Sequence, residues 1–237
     1  MSPELSIVAP AYDEEECIEA VVRSWLEMIA EHRLDAEIVI ADDGSRDRTP
    51  QILAALAARF PSLRPLRLPG NGGYGRAVAA GVAAARAPWI VTIDSDGQFE
   101  PRDIPRLLAE RDRRGLDLLT GFRSAKNDSP ARVLADRALR LYVRGLFGIR
   151  LRDTNCALKL IRAEWLKRQP LWAEGYSIPT EIHARAKADG LRVGEIEVDH
   201  LERVGGESKL RVMRTSLQMI TFLARLRLAL RSGSSGR

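Results

Sequence analysis

The chain has 237 residues, 45% of them hydrophobic and 29% charged, which is enough for one large α/β domain or two small ones and too balanced for a disordered or fibrous protein. Its 37 Lys and Arg against 32 Asp and Glu give a net charge of +5, which favours anionic partners such as nucleotide phosphates, nucleic acid or acidic lipid. Two cysteines, Cys17 and Cys156, argue against a disulfide framework or a structural zinc site. The acidic start MSPELSIVAP and the lack of any apolar run near about 18 residues lead us to expect a cytoplasmic protein that does not cross a bilayer.

Leu5 to Ala9 is a short apolar run before Pro10, and after the acidic stretch Asp13 to Glu16 the apolar residues Ile18, Val21, Val22, Trp25 and Ile29 recur at helical spacing. A second strand, Glu37 to Ala41, ends in Asp42-Asp43-Gly44-Ser45 and gives way to a helix from Thr49 to Phe60. A third unit runs from Leu63 to Leu68 through the Gly-rich Pro69 to Gly75 into an Ala-rich helix. A fourth runs from Trp89 to Ile93 into Asp94-Ser95-Asp96-Gly97-Gln98, and Asp117 to Gly121 supplies a fifth strand. Such alternation predicts parallel βαβ units with right-handed crossovers. Both acidic clusters follow a strand directly, where open α/β sheets bind ligands.

After Arg123 the pattern changes. Pro130 to Phe147 reads as one basic amphipathic helix, 153–155 as an irregular piece, Thr180 to Ala188 as a helix and Arg192 to Val198 as a strand. A last helix is expected over about Leu210 to Leu230. From Glu207 to Arg237 there are seven Lys and Arg against one acid, and the closing SGSSGR has linker composition and is expected to be disordered. The expected organisation is a single domain over 1–231 in two halves, 1–123 and 124–231, followed by a tail (232–237).

Asp94-Ser95-Asp96 puts two carboxylates at alternate positions after a buried strand, where they can offer hard oxygen ligands to Mg²⁺ or Mn²⁺, and Gln98 adds a neutral oxygen. A divalent ion there would offset the charge of a nucleoside-diphosphate leaving group. The same residues also suit a loop cap, since Asp is common in turns; a second acidic loop after another strand favours the ligand-binding reading. Asn71-Gly72-Gly73-Tyr74-Gly75-Arg76 precedes a helix and permits close backbone approach to a ligand, or forms a plain glycine turn. It is not of the Walker type, and the first βα turn, Pro10-Ala11-Tyr12, is not a dinucleotide fingerprint. His32, His183 and His200 stand in no nucleophile-elbow or zincin context and are expected to be surface or packing residues. Arg203-Val-Gly-Gly-Glu-Ser208-Lys209 gathers cations and a hydroxyl suited to a phosphate, or forms a solvated turn.

The order VAPAYDEEE, IADDGSRD, NGGYGRA and VTIDSDGQ resembles family 2 glycosyltransferases. GFR at 121–123, DTNCALKL at 153–160, EGYSIPTE at 174–181 and GEIEVDHLERVGGESKL at 194–210 narrow the likeness to the polyprenol-phosphate (dolichyl-phosphate) mannosyltransferase type. The resemblance implies a GT-A fold, a Rossmann-like, mostly parallel α/β sheet flanked by helices. By that likeness Pro10, Ala11, Tyr12 and Glu14 would line the nucleotide base and Ala41 with Asp42 would hold base or ribose. Asp43, Asn71, Gly75 and Ser95 would complete the nucleotide-sugar site. Asp94, Asp96 and Gln98 would bind the metal and diphosphate, with Arg123 and Arg203 also catalytic. Arg123, Arg132, Arg203, Ser208 and Lys209 would take the acceptor phosphate. The chain departs from the family pattern at Asp13, Asp136, Lys159 and Pro179.

The resemblance implies an inverting transfer of a hexose, mannose from GDP-mannose first and glucose from UDP-glucose second, to a polyprenyl phosphate, with Mg²⁺ or Mn²⁺ as cofactor. A phosphomonoester, with a second pKa of about 6, is mostly dianionic at neutral pH, so the enzyme needs cations to place the nucleophile and no general base. Residues 129–152 carry six Arg against one Asp, with interspersed Leu and Phe. Such helices suit the cytoplasmic membrane surface, or pack their apolar faces on the catalytic domain. Two alternatives remain: a soluble sugar or phosphorylated small-molecule acceptor, and a noncatalytic nucleotide-sugar-binding protein. Nucleic acid is not expected as a partner, since aromatic residues make up 5% of the chain and no recognition motif is present.

Overall fold

In the computed structural model the described residues are 2–123, 130–201 and 212–233, with the side chains of 130–136, 212–217 and 232–233 outside the description. The elements in chain order are β1 (Leu5–Ala11), α1 (Ile18–Glu31), β2 (Ala36–Asp42), α2 (Thr49–Arg59), β3 (Leu63–Arg67), α3 (Tyr74–Ala84), β4 (Trp89–Thr92), α4 (Asp103–Arg114) and β5 (Leu118–Arg123). They continue with α5 (Pro130–Phe147), β6 (Lys159–Arg162), α6 (Ala163–Lys167), α7 (Ile178–Ala188), β7 (Val193–Val198) and α8 (Val212–Gly233).

One sheet of seven strands runs in the order β3-β2-β1-β4-β6-β5-β7. Every residue of β1 and β2 is buried, as expected of strands covered on both faces. One face packs on α1, α2 and α4 through Trp25, Leu53, Ile104 and Leu107. The other packs on α3, α6 and α7 through Val78, Val82, Leu166 and Ile182. In α1 the buried residues Ile18, Val21, Val22, Trp25 and Met28 form the single apolar stripe that the helical period demands. Gly115, at φ 59°, closes α4 in the left-handed conformation that glycine adopts without a steric cost.

The sheet is mostly parallel, as expected, but β6, a strand not expected from the sequence, runs antiparallel between β4 and β5, with Lys159 opposite both Thr92 and Thr120. Its sequence hides it: a fully buried lysine interrupts the apolar run CALKLI. The 153–155 piece is the turn that feeds this strand, and the short α6 follows it without a break.

At the end of the sheet away from the acidic loops, Ser6, Glu37 and Arg64 form a closed polar cluster. Ser6 Oγ donates to Glu37 Oε1 at 2.7 Å and accepts from the backbone of Arg86 and Ala87 at 3.2 and 3.1 Å, while Arg64 reaches Glu37 Oε2 at 2.6 Å. Burial raises the Glu37 pKa, but hydrogen bonds from Ser6, Arg64 and the Arg86 backbone outweigh it and hold the carboxyl below its usual value.

The two basic helices pack on one another and on α7. Val143, Phe147, Met219, Leu223 and Leu226 form a separate apolar cluster that includes Ala184. Leu141, at 69% exposure, and Leu228, at 67%, stay on the outside. Among the described residues no helix is long and apolar enough to cross a membrane.

Candidate active site

The strand order reverses between β1 and β4, so the loops at their C-terminal ends part and leave a crevice. Pro10 and Ala11 end β1 and are buried; Asp42 ends β2. Asp42 accepts the Ser45 N–H on Oδ1 at 2.9 Å. Its Oδ2 is buried, accepts no hydrogen bond and has Arg67 Nε at 3.8 Å. A buried carboxylate oxygen left in that state is costly unless a ligand N–H or O–H meets it.

The loops after β1 and β2 are tied together. Asp13 N donates to Ser45 Oγ at 2.9 Å, Glu14 N to Thr49 Oγ1 at 2.8 Å and Glu15 N to Asp47 Oδ2 at 2.9 Å, while Arg46 N returns a bond to Asp13 Oδ1 at 2.7 Å. Asp13 takes a positive φ of 51° to make this turn, a conformation that Asp and Asn tolerate better than most residues. These loops border an open cleft of about 420 Å³ lined by Asp13 to Glu16, Arg46 and Asp47. Glu14, in this lining, and Tyr12, just before it in the chain, are half-buried.

Asp43 is turned towards the glycine loop, accepting Gly72 N–H on Oδ1 at 2.9 Å and Gly73 N–H on Oδ2 at 2.7 Å. Gly73, at φ 95°, begins α3. Asn71 is exposed at the rim. Gly75, expected at the nucleotide sugar, is buried and donates its N–H to Glu174 O at 2.8 Å.

Ser95 is buried and donates to Pro10 O at 2.7 Å, which fixes the turn after β4 and leaves Asp94 and Asp96 half-buried on either side. Tyr74 Oη donates to Asp94 Oδ1 at 2.7 Å, and Gln98 N donates to Asp96 Oδ1 at 3.1 Å. Burial, and next the Asp96 charge, push the Asp94 pKa up to about 7; the Tyr74 hydrogen bond and the Arg123 and Lys159 charges hold it from going further. Burial and the Asp94 charge push the Tyr74 phenol well above its usual value. Among the described residues no three His, Cys, Asp or Glu side chains converge as a closed metal cage. Two crowded carboxylates fit a hard divalent ion of the kind that completes its shell with substrate phosphates and water.

Arg123, expected at the acceptor phosphate and placed at the end of β5, donates from Nε to Asp153 Oδ2 at 2.7 Å. Burial lowers the Arg123 pKa, but the Asp153 charge and hydrogen bond outweigh it and raise it overall. Lys159 is fully buried on the sheet behind this pair and contacts the Cys156 carbonyl. Burial lowers its pKa to about 8. His183 is buried with Nδ1 at 3.2 Å from Thr154 O, and His200 packs edge-on against Phe99; His32 caps α1 on the surface. A bridge between Phe99 and His200, with Leu201 N donating to Gln98 O at 2.8 Å and Gln98 Nε2 to Leu201 O at 3.3 Å, carries the chain after β7 onto the acidic loop. Arg203, Ser208 and Lys209 lie outside the described residues, as does the Arg132 side chain.

The sequence reading brought forward Asp42, Asp94 and Asp96, which the fold gathers at one edge, but it passed over Tyr74, Asp153 and Glu181 as individuals. Each lies inside a quoted motif; an aromatic residue within a glycine loop was the available signal for Tyr74.

Residues 6–171 match the family model described as glycosyl transferase family 2. A dodecaprenyl-phosphate galacturonate synthase from Rhizobium johnstonii is 32% identical over 226 residues, 94% of this chain and 66% of that relative. An undecaprenyl-phosphate 4-deoxy-4-formamido-L-arabinose transferase from Pseudomonas aeruginosa is 34% identical over 211 residues, 89% of this chain and 61% of that one. The chain thus spans less than two thirds of the length of these curated relatives. Among solved structures, glucosyl-3-phosphoglycerate synthase from Mycobacterium tuberculosis, in complex with Mn²⁺, UDP and glucosyl-3-phosphoglycerate, superposes with a TM-score of 0.75 at 23% identity, covering 94% of this chain and 80% of that one.

Proposed function

The chain belongs to glycosyl transferase family 2 and has the GT-A fold, and from that premise we propose that it transfers a sugar from a nucleoside-diphosphate donor to a polyprenyl phosphate with inversion at the anomeric carbon. The observation that carries this reading is the Asp94–Asp96 pair at the sheet's reversal point, with Asp94 anchored by Tyr74. The relatives at 32% and 34% identity, named for polyprenyl-phosphate acceptors, support the acceptor class. Their sugars are galacturonate and a formamido-arabinose, which gives mannose no preference over other hexoses or uronates.

The chain's own residues divide the work. Asp42 offers its buried, unsatisfied Oδ2 to the base or ribose, with Pro10, Ala11, Tyr12 and Glu14 alongside. Asp43 shapes the glycine loop rather than facing outward, and Ser95 fixes the acidic turn. Asp94 and Asp96, with Gln98 next to them, would hold Mg²⁺ or Mn²⁺, which when bound offsets the negative charge that develops on the departing diphosphate. Arg123, steadied by Asp153, supplies a fixed cation for the acceptor phosphate, and Arg132, Arg203, Ser208 and Lys209 are proposed to join it. An acceptor phosphate oxygen attacks the anomeric carbon in line as the bond to the diphosphate oxygen breaks; no proton needs removing from a dianionic phosphate. The basic helices α5 and α8, with Leu141 and Leu228 exposed, are proposed to rest on an anionic membrane surface, where each Lys or Arg contributes about 1 kcal/mol.

The test is to incubate the purified chain with MnCl₂ and radiolabelled GDP-mannose, UDP-glucose or UDP-galacturonate, with and without a polyprenyl phosphate, and to follow label into the organic phase. Lipid-dependent label from one donor is expected. Metal-dependent donor hydrolysis without transfer to lipid would overturn the acceptor assignment, and no reaction with any donor would overturn the reading as an enzyme.

A further inference from the structure

Glu181, in the first turn of α7, is fully buried, yet its carboxylate faces neither the crevice nor the acidic loop. It accepts the backbone N–H of Trp172 at 3.0 and 3.1 Å and that of Ala173 at 2.8 Å. Arg185, one turn on, donates from Nε to Glu181 Oε1 at 2.8 Å and places a terminal nitrogen 2.7 Å from the same oxygen without hydrogen-bond geometry. The Arg185 guanidinium also lies 4.6 Å from the centre of the Trp172 ring. A buried carboxylate satisfied in this way holds a peptide segment in one place, because releasing either N–H would leave charge and donors unpaired in the interior.

The held segment grips the glycine loop. Glu174 O accepts the Gly75 N–H at 2.8 Å, and a Cβ at Gly75 would lie 1.8 Å from Ala173 O. A Cβ at Gly73 would lie 2.5 Å from Glu174 O. From the other side Asp43 holds Gly72 and Gly73 by their N–H groups. Tyr74 sits inside this grip, its ring stacked on Tyr176 at 5.1 Å and 24° and its hydroxyl on Asp94. The path from α7 to the acidic loop is therefore a run of direct contacts, each with one geometry.

We propose that Glu181 is a positioning residue: through residues 172–174 it fixes Gly73 to Gly75, and with them Tyr74 against Asp94. The inference rests on the proposed donor site for its functional meaning, while the mechanical link stands on the contacts alone. It also assigns Glu181 a role other than proton abstraction, since its oxygens are engaged by backbone and guanidinium.

The experiment compares the full chain with Glu181→Gln, which keeps the shape but puts an NH₂ donor where only acceptors fit. Hydrogen–deuterium exchange is read in peptides covering 72–78 and 171–176, with β1 and β2 as internal reference. Exchange about tenfold faster in both peptides, with the reference unchanged, is expected of a local loss of protection; an unchanged 72–78 peptide would overturn the link. Gly75→Ala attacks the same grip with Glu181 intact, and is expected to speed exchange in 171–176 even if Glu181→Gln does not fold; no change there would overturn the link as well. Calorimetric titration of UDP with MnCl₂ supplies the functional readout. Glu181→Gln and Tyr74→Phe are each expected to weaken binding by about tenfold, and the double variant by no more than the worse single one. Effects that multiply would refute action through Tyr74. A wild-type chain that ignores UDP and Mn²⁺ would count against the donor site, while the exchange result would still decide the link.

Discussion

If Asp94 holds the metal as proposed, proton and metal compete for it, and the competition has a calculable size. With a pKa of about 7, the carboxylate is about one-tenth ionised at pH 6 and three-quarters ionised at pH 7.5, so Mn²⁺ affinity should rise about eightfold across that interval. Stopping at pH 7.5 keeps Lys159, whose own pKa is about 8, at least about three-quarters charged. Tyr74→Phe removes a hydrogen bond to the ionised state worth about 1.5–3 kcal/mol, which would move the midpoint up by about one to two pH units. Water reaching the half-buried carboxylate favours the lower end of that range. Electron paramagnetic resonance of free Mn²⁺ measures the affinity without nucleotide, so that no phosphate titrates in the same window. The same raised pKa makes the metal-free fold less stable as pH climbs from about 4 through 7, because the unfolded carboxylate ionises first. An affinity that stays flat from pH 6 to 7.5, or a midpoint that falls in Tyr74→Phe, would refute the account.

Asp96→Ala should lower transfer by at least about a hundredfold while leaving the circular dichroism spectrum unchanged, as expected when a charge-stabilising group is lost; near-normal turnover with saturating Mn²⁺ would remove Asp96 from the site. Ser6→Ala removes one donor from Glu37 and the acceptor of the Ala87 N–H, while the Arg86 N–H keeps Glu37 Oε1 at 2.6 Å. It should cost about 1–3 kcal/mol, or roughly 3–10 °C in Tm, with transfer kinetics unaltered. Because Glu37 is held below its ordinary value of 4.5, its contribution is present above that value and fades as pH falls below it; Ser6→Ala should therefore lose less stability on acidification than wild type in urea titrations. Gly121→Ala would set a Cβ 2.6 and 2.9 Å from the Val198 methyls and 3.1 Å from Cys156 Sγ. A cost of about 1–3 kcal/mol in the urea midpoint is expected, against none for Gly175→Ala, which meets nothing within 4 Å.

The first five strands and the helices that follow the first three were legible because their chemistry is local: apolar runs for doubly covered strands, a helical stripe in α1, and turn residues at each strand end. That Asp42 and Asp94 stand at the C-terminal edge of the sheet followed from topology alone, since each comes at or just after the end of a parallel strand. β6 was not legible, because Lys159 breaks the apolar pattern and only the surrounding fold, with Asp94, Asp153 and the Cys156 carbonyl nearby, accounts for a buried ammonium there. Tyr74 and Glu181 were read as members of motifs without a task of their own. Their partners, Asp94 and the Trp172–Ala173 backbone, are set by how α3 and α7 pack on the sheet, which residue spacing does not record.

The antiparallel β6 also bears on how the chain is put together as it is made. Among the described residues β5 is hydrogen-bonded to β6 and β7 as its two neighbours, and β4 has β6 on its outer side. When residue 123 leaves the ribosome, β5 has neither neighbour and β4 has an open edge, so residues 1–123 and the rest of the chain are not two foldable pieces laid side by side. Closure waits for pairings about 40 to 80 residues away in sequence, the kind of non-local contact that slows folding and leaves strand edges open to intermolecular association. A cut after Arg123 would therefore yield an aggregation-prone fragment rather than a smaller nucleotide-binding protein.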